Sequence, residues 1–227
     1  MHKMTQAEFD TLKRNKDGYL VIPYCTDCTE IDFGAADKVV FGNGCKLGNC
    51  CDLGSWCKLG NDCELGYGCK LGDQCELGNR CELGYGCKLG NDCELGYGCV
   101  LGDQCELGNR CELGYGCKLG NWCKLGNGCV LGCGCELGCG CGLGDGCKLG
   151  NWCKLGNGCV LGNGCVLGDH CVLDYGCKLG DECKLGHDCK LGEYIDVRAT
   201  FEGERVRDGL YVQVGNIGSK HRTAYFY

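Results

Sequence analysis

The hydrophobic positions between residues 39 and 197 recur every six residues, in the phrase Leu-Gly-x-x-Cys-x. Leucine occupies every sixth position over 47–191, and cysteine every sixth position over 45–189, without an insertion. Glycine follows each of these leucines except one, where Asp174 takes its place. A glycine in every unit costs a helix about 1 kcal/mol each time, so the pattern excludes a helical structure. Cysteine and leucine lie two positions apart, which predicts a short strand with both side chains on one face.

The remaining positions of the phrase predict a solvated outer face and a sharp corner. The residue between cysteine and leucine points away from them and is usually charged, as at Lys46 and Glu64. After leucine comes glycine, often followed by asparagine or aspartate, as at Gly60 and Asn61. These residue types tolerate positive φ, so we expect the chain to turn here. Each unit is therefore a strand plus a corner, and the repeated units form a solenoid.

The phrase resembles that of the hexapeptide-repeat left-handed parallel β-helix family: an aliphatic residue, glycine, two variable positions, a small residue and another variable one. The units at 47–52 and 161–166 fit this phrase, with cysteine in the small position. The resemblance covers about two-thirds of the chain and implies an all-β, three-sided parallel β-helix with a left-handed crossover. At three units per turn, we expect about eight to nine turns, a small α+β cap at the N-terminus and a β-rich cap at the C-terminus.

The charge pattern also favours three units per turn. If three strands complete a turn, residues 18 apart are stacked, and the outer positions then show more opposite-charge than like-charge neighbours. Lys46 over Glu64 and Glu136 over Lys154 are examples. A spacing of 12, which two strands per turn require, lacks this excess. Opposite charges on adjacent strands are stabilising, so the pattern favours the three-sided tube.

The chain divides into three predicted segments: a cap over 1–38, a solenoid over 39–197 and a β segment over 198–227. A capping box at Thr5 predicts a short helix that ends near residue 15, and a strand follows at 19–22. In the last segment, 209–214 and 222–227 have the composition of strands. We expect the N-terminal segment to cover the first turn, as solenoid ends require.

Both termini also resemble uncharacterised proteins of gut bacteria and their phages, which carry similar Cys-x-Phe-Gly-x-x arrays. The resemblance lies in the motifs at 4–10 and 217–227. It implies a phage- or prophage-related origin and brings no known activity with it.

Composition excludes some classes of function. The net charge is −7 and the sequence pI is about 5.1. No basic stripe with an aromatic platform is present, so we do not expect a nucleic-acid partner. The chain also lacks an apolar run of the length typical of a membrane span or a secretory signal, which favours a reducing cytoplasm.

The 30 cysteines have three interpretations. We favour small buried hydrophobic side chains stacked in columns. Disulfides between turns are compatible with the strand spacing but have unfavourable in-register geometry, and thiolate–metal binding conflicts with desolvation by the leucines. Outside the phrase, Cys25, Cys28 and Cys50 are weak metal candidates, and the corner residues Cys133 and Cys139 are predicted exposed thiols. We expect no cofactor.

The resemblance leaves two main functional hypotheses. Acyltransferases of the family use a catalytic histidine and build their sites between subunits with long loops, and His170 and His187 lie one turn apart near one corner. However, no unit carries an inserted loop, so we favour a non-enzymatic structural or binding solenoid. A thiolate metal-binding protein is a further alternative.

Two surfaces are candidates for contacts with partners. Tyrosines recur at corners 18 residues apart, and valines replace charged outer residues in the C-terminal half; uncharged outer faces are typical of self-association, plausibly as a trimer in this family. A carbohydrate or protein partner is the alternative for the tyrosines. The candidate residues are Tyr67, Tyr85, Tyr97, Tyr115, Val160, Val166 and Val172.

Overall fold

The computed structural model describes residues 1–197, apart from the side chain of Val197. Near the N-terminus the elements are β1 (His2–Lys3), α1 (Gln6–Asp10), β2 (Leu20–Ile22), β3 (Thr26–Cys28) and β4 (Val39–Phe41). The remaining strands have two residues each. They are β5 (Lys46–Leu47), β6 (Asp52–Leu53), β7 (Lys58–Leu59), β8 (Glu64–Leu65), β9 (Lys70–Leu71), β10 (Glu76–Leu77), β11 (Glu82–Leu83), β12 (Lys88–Leu89), β13 (Glu94–Leu95), β14 (Val100–Leu101), β15 (Glu106–Leu107), β16 (Glu112–Leu113), β17 (Lys118–Leu119), β18 (Lys124–Leu125), β19 (Val130–Leu131), β20 (Glu136–Leu137), β21 (Gly142–Leu143), β22 (Lys148–Leu149), β23 (Lys154–Leu155), β24 (Val160–Leu161), β25 (Val166–Leu167), β26 (Val172–Leu173), β27 (Lys178–Leu179), β28 (Lys184–Leu185), β29 (Lys190–Leu191) and β30 (Asp196–Val197).

These strands form three parallel sheets that together make a three-sided tube. Sheet A has 11 strands and runs from β1 through β3 and β5 to β29; sheet B has 10, from β2 to β28; sheet C has nine, from β6 to β30. Successive strands of the chain visit sheet A, then C, then B. The prediction of a three-sided parallel β-solenoid is confirmed, with about 10 turns in place of the expected eight to nine.

Stacked residues are 18 apart throughout the repeats. Glu76 pairs with Glu94, for example, and Lys118 with Glu136. Every Cys and Leu of the phrase therefore lies above its equivalent in the previous turn, and these side chains form one continuous core. The outer residues form ion pairs between turns, including Lys46–Glu64 at 2.7 Å and Lys154–Glu136 at 3.0 Å.

The glycine after each leucine is required by the close approach of successive turns. A Cβ atom added at Gly114 would lie 2.7 Å from the carbonyl carbon of Gly96 and 2.7 Å from the amide nitrogen of Tyr97. Real Cβ atoms do not approach other atoms this closely, so a side chain here would force the turns apart. Asp174 replaces this glycine and is exposed.

Positive φ occurs at the fourth position of the phrase, one residue later than we predicted. Gly116 has a φ of 68°, and non-glycine residues adopt the same conformation, as at Asp62 with 58°. The asparagine at the third position has another role. Its side-chain oxygen accepts a hydrogen bond from the third-position N–H of the next turn, as in Asn79 to Asn61 at 2.8 Å. At the corner between sheets C and B this ladder is unbroken: Ser55, Asp73, Asn91, Asn109, Asn127, Asp145, Asn163 and Asp181.

The N-terminal segment packs against the first turn. The predicted capping box is present: the Glu8 amide donates to the Thr5 hydroxyl, and the Glu8 side chain accepts from the Thr5 amide. The helix ends at Asp10, earlier than the predicted residue 15. Phe9 packs edge-on against Phe33, with ring centroids 5.2 Å apart. Strands β2 and β3 already pair with strands of the repeats, so sheets A and B extend to the N-terminal side of residue 39.

The predicted strands at 209–214 and 222–227 lie outside the described residues, and the predicted segment bounds stay a prediction. Within 1–197, no helix has the length and apolar character needed to cross a membrane.

A paired substitution tests the steric role of the glycine. We expect Gly114→Ala to lower the free energy of unfolding by roughly 1–3 kcal/mol, because the added methyl group overpacks the stacked corner. The control is Gly116→Asn two positions later, where a Cβ has open space and asparagine tolerates positive φ. It should cost less than about 1 kcal/mol. Urea unfolding followed by circular dichroism gives both values, and equal stability of the two variants would contradict the steric explanation.

Candidate functional site

The cysteines of the phrase face the interior of the tube and are hydrogen-bonded there. Most have no exposed surface. The thiol of Cys81 donates to the carbonyl oxygen of Gly60 at 3.2 Å, and Cys99 donates to Gly78 at the same distance. The same contact, always 21 residues back, recurs for each repeat cysteine from Cys63 to Cys189 at 3.1–3.5 Å.

This contact is an aspect of the cysteines that the sequence did not predict. The amide of Gly78 donates to Leu59 of the turn below at 2.8 Å, while its carbonyl points toward the interior and accepts the Cys99 thiol. A buried carbonyl without a partner is costly, and a purely apolar side chain cannot supply one. Cysteine therefore acts both as a small buried side chain and as a donor. The exact 21-residue offset, which follows from the 18-residue turn, was the available signal.

The interior keeps these thiols protonated at neutral pH. Burial raises the pKa of the Cys28 thiol to about 12. Contact with the Cys111 thiol is the main cause that raises the pKa of Cys93 to about 12, and burial adds to it. Metal ions and electrophiles react with thiolates. The core columns are therefore chemically unreactive while the tube is folded.

The weak metal candidates do not converge. Cys28 is buried in the core, whereas Cys25 is exposed at the corner between sheets B and A. Cys50 is exposed at a different corner, between sheets A and C. It lines a shallow depression of about 300 Å³ together with Ile31 and Phe33 of the N-terminal segment. Within 1–197, no group of three or more His, Cys, Asp or Glu side chains is arranged to hold a metal ion.

The predicted exposed thiols are exposed and separate. Cys133 lies at the corner between sheets B and A, and Cys139 at the corner between sheets A and C. Each occupies the position that asparagine or aspartate takes in most other units. At Cys139 the amide still accepts the help of the turn below, since it donates to the Asn121 side chain at 2.8 Å.

The four candidate tyrosines divide between two corners. Tyr97 and Tyr115 lie between sheets B and A and stack with ring centroids 5.5 Å apart and planes 16° apart. Tyr67 and Tyr85 lie between sheets A and C. They are therefore two separate pairs, and the rings of the stacked pair cover each other's faces.

The candidate valines do not form a patch. Val160 lies on sheet C, Val166 on sheet B and Val172 on sheet A. Units six residues apart occupy consecutive sides of the tube, so three consecutive units cannot share a face. The interpretation of these valines as one lateral contact surface is corrected by this placement.

The two histidines lie at the corner between sheets B and A, where an aromatic neighbour accompanies them. The His170 imidazole stacks on Trp152 with centroids 4.1 Å apart and planes 19° apart. Its Nδ1 lies 3.9 Å from a carboxylate oxygen of Asp188. The amide of His170 donates to the His187 carbonyl at 2.8 Å. The sequence indicated the shared corner but missed Trp152, although it precedes His170 by 18 residues.

Fold and site together define a hexapeptide-repeat β-solenoid with a cysteine-lined core. The family described as bacterial transferase hexapeptide (six repeats) matches residues 98–133 and 128–163. The chain is a cysteine-rich member of the hexapeptide-repeat β-helix family. No curated protein and no solved structure gives a significant match.

Thiol titration tests the placement of the cysteines. Four cysteines, at 25, 50, 133 and 139, are exposed, and we expect about four of the 30 thiols to react rapidly with a disulfide reagent in the native protein. All 30 should react after denaturation. Intact mass and metal analysis of the same sample separate free thiols from disulfides and bound ions. A denatured count well below 30 would contradict the free-thiol columns.

Alkaline pH should destabilise the tube. An unfolded cysteine loses its proton near pH ~8.5, whereas folded Cys28 keeps its proton to about pH 12. Because the folded pKa is the higher one, its contribution to stability is complete below pH ~8.5 and is lost as the pH rises through the folded pKa. We expect the free energy of unfolding to fall above that pH, by up to about 1.4 kcal/mol per pH unit for one such thiol.

The control for the pH experiment is Cys28→Ser, which removes this titration and keeps the other alkaline groups. Its stability should fall less steeply than that of the unchanged protein between pH ~9 and ~11. Identical slopes for the two proteins would show that Cys28 does not contribute.

Proposed function

We propose that this protein is a non-enzymatic structural or binding rod. The observation that carries the proposal is the uniform connection between strands: from β5 to β30, every pair of consecutive strands is joined by four residues. All of the chain over this range is used to build the tube. Active sites are usually concave and need segments that leave the scaffold to enclose a ligand.

The interior supports the same proposal. Among the described residues, Thr26 is the buried polar side chain, and its hydroxyl donates to the Pro23 carbonyl at 2.7 Å. Its polar group is thus occupied by a structural contact. The thiols of the core are likewise occupied by glycine carbonyls, and burial keeps them protonated.

The acyltransferase hypothesis has one observation in its favour. His170 is held by Trp152 and faces Asp188, which is the type of partner that orients a catalytic imidazole. A distance of 3.9 Å is longer than a hydrogen bond, and the histidine lies on a convex corner. We therefore keep acyl transfer as the alternative, and metal–thiolate binding as a second.

Acyl-CoA binding distinguishes the rod from the enzyme. We expect isothermal titration calorimetry of the full chain with acetyl-CoA and longer acyl-CoA thioesters to give no saturable heat, because the described surface offers no enclosed cleft. His170→Ala is the matched variant and should behave identically. Saturable binding that is lost in His170→Ala would overturn the proposed function in favour of acyl transfer.

A further inference from the structure

Sheet A presents one outward residue per turn, and the order of these residues carries a pattern that the other two sheets lack. Each residue stacks on the one before it, and the side chains are accessible to solvent. The eight consecutive turns that start at β3 present Asp27, Lys46, Glu64, Glu82, Val100, Lys118, Glu136 and Lys154.

This order is complementary to itself when it is reversed. Consider a second copy packed face to face on sheet A, antiparallel, with a two-fold axis along the strand direction between Glu82 and Val100. Every charged residue except Glu82, which meets Val100, then faces an opposite charge, and each pair occurs twice by symmetry. The pairs are Asp27 with Lys154, Lys46 with Glu136, and Glu64 with Lys118.

Neighbouring registers lose this complementarity. A shift of the axis by half a turn in one direction places Lys46 opposite Lys154, and a shift in the other direction places it opposite Lys118. A parallel two-fold arrangement places every residue opposite its own copy. Like charges across an interface are unfavourable, so one antiparallel register is preferred over these alternatives.

The exposed cysteines give an independent indication of the same face. Cys25 and Cys133 lie on the corner that precedes sheet A, and Cys50 and Cys139 on the corner that follows it. Among the described residues, no exposed cysteine lies on the corner between sheets C and B, opposite this face. In the register set by the charges, Cys50 of one copy lies at the level of Cys139 of the other.

We propose that sheet A is the contact surface for a second copy of this chain, in an antiparallel two-fold dimer centred between Glu82 and Val100. Val100 is the apolar outward residue of these eight turns, and it lies next to the axis with 40% of its surface exposed. The ion pairs within each copy, such as Lys46–Glu64 at 2.7 Å, hold the charged side chains in place before association.

The size of the face agrees with a reversible dimer. Eight turns at about 4.8 Å give a length of roughly 34 Å, and six residues per side give a width of at most about 20 Å. The face therefore offers up to roughly 700 Å² per partner, close to the value of about 800 Å² for standard interfaces. With a mostly charged surface, association should weaken as salt is added.

The other faces are less suited to self-association. Sheet B presents Glu76, Glu94 and Glu112 in consecutive turns, which repel each other in most registers. Sheet C is the closer competitor. Its best antiparallel register, like that on sheet A, has no like-charge pair, but it provides only two kinds of pair, Asp52 with Lys178 and Glu106 with Lys124.

Charge reversal on the two faces separates them, and it is independent of acyl-CoA binding, so a failure here leaves the proposed function untouched. Glu136 on sheet A lies between Lys118 and Lys154 and pairs with both, at 3.6 and 3.0 Å. Glu106 on sheet C has the same surroundings, with Lys88 at 2.9 Å and Lys124 at 3.7 Å. Glu136→Lys and Glu106→Lys therefore remove equivalent contacts within the chain.

We expect sedimentation velocity of the full chain at low ionic strength to show a monomer–dimer equilibrium. Glu136→Lys places two like-charge pairs in the dimer and should weaken the dissociation constant by about tenfold or more, whereas Glu106→Lys should change it by less than about twofold. The double variant Lys46→Glu with Glu136→Lys restores opposite charges across the interface and should recover most of the affinity.

Crosslinking tests the register. A short bis-maleimide, which adds to thiols without oxidising them, should join Cys50 of one copy to Cys139 of the other, and Cys50→Ser or Cys139→Ser should reduce the crosslinked dimer. Peptide mapping identifies the joined residues. Crosslinks from Cys133 to Cys139 would indicate the parallel arrangement instead.

Several results would overturn the proposal. They are a monomer at all concentrations, a trimer, a dimer that Glu106→Lys weakens as much as Glu136→Lys does, and a crosslink pattern without the pair Cys50–Cys139.

Discussion

The stacking of one turn directly on the next is the constraint on which the rest of this structure depends. Turns can approach to strand-pairing distance at the corners because the residue after leucine has no Cβ atom; at Gly114 such an atom would lie 2.7 Å from the backbone of the turn below. The same approach brings the glycine carbonyl within reach of a cysteine thiol, so that Cys81 donates to Gly60 at 3.2 Å. Glycine and cysteine are thus two parts of one contact. A larger aliphatic residue in the cysteine position would fill the space but leave the carbonyl without a donor.

Interior and exterior follow different periods. Core positions repeat every six residues, because each side of the tube needs the same Cys and Leu pair. Surfaces repeat every 18 residues, because only every third unit returns to the same side. The internal duplication, in which residues 61–90 recur at 91–120, shows the difference. Its length of 30 is a multiple of six but not of 18. The core is therefore preserved, while Tyr67 and Tyr85 on one corner reappear as Tyr97 and Tyr115 on another.

This difference explains what the sequence could predict. The fold, the 18-residue register and the ion pair Lys46–Glu64 follow from periodicity alone, and the structure confirms them. The valines at 160, 166 and 172 were grouped by nearness in sequence, but nearness at the surface requires the longer period. The Trp152–His170 stack obeys that period and was missed because the two residue types differ. The thiol–carbonyl contact was missed because its partner, a backbone oxygen, has no letter in the sequence.

The separation of periods also bears on function. A core that repeats every six residues leaves the outer position of each unit free to vary without cost to the fold, since the side chain there contacts mainly its two stacked neighbours. Selection for a contact surface can therefore act on one face at a time. On sheet B, three glutamates in consecutive turns repel each other and gain nothing for the fold. On sheet A, Lys118 and Lys154 flank Glu136, and the ladder is stabilising within the chain. A face whose charges are arranged favourably along the tube, and also favourably against its own reverse, satisfies two conditions with the same residues.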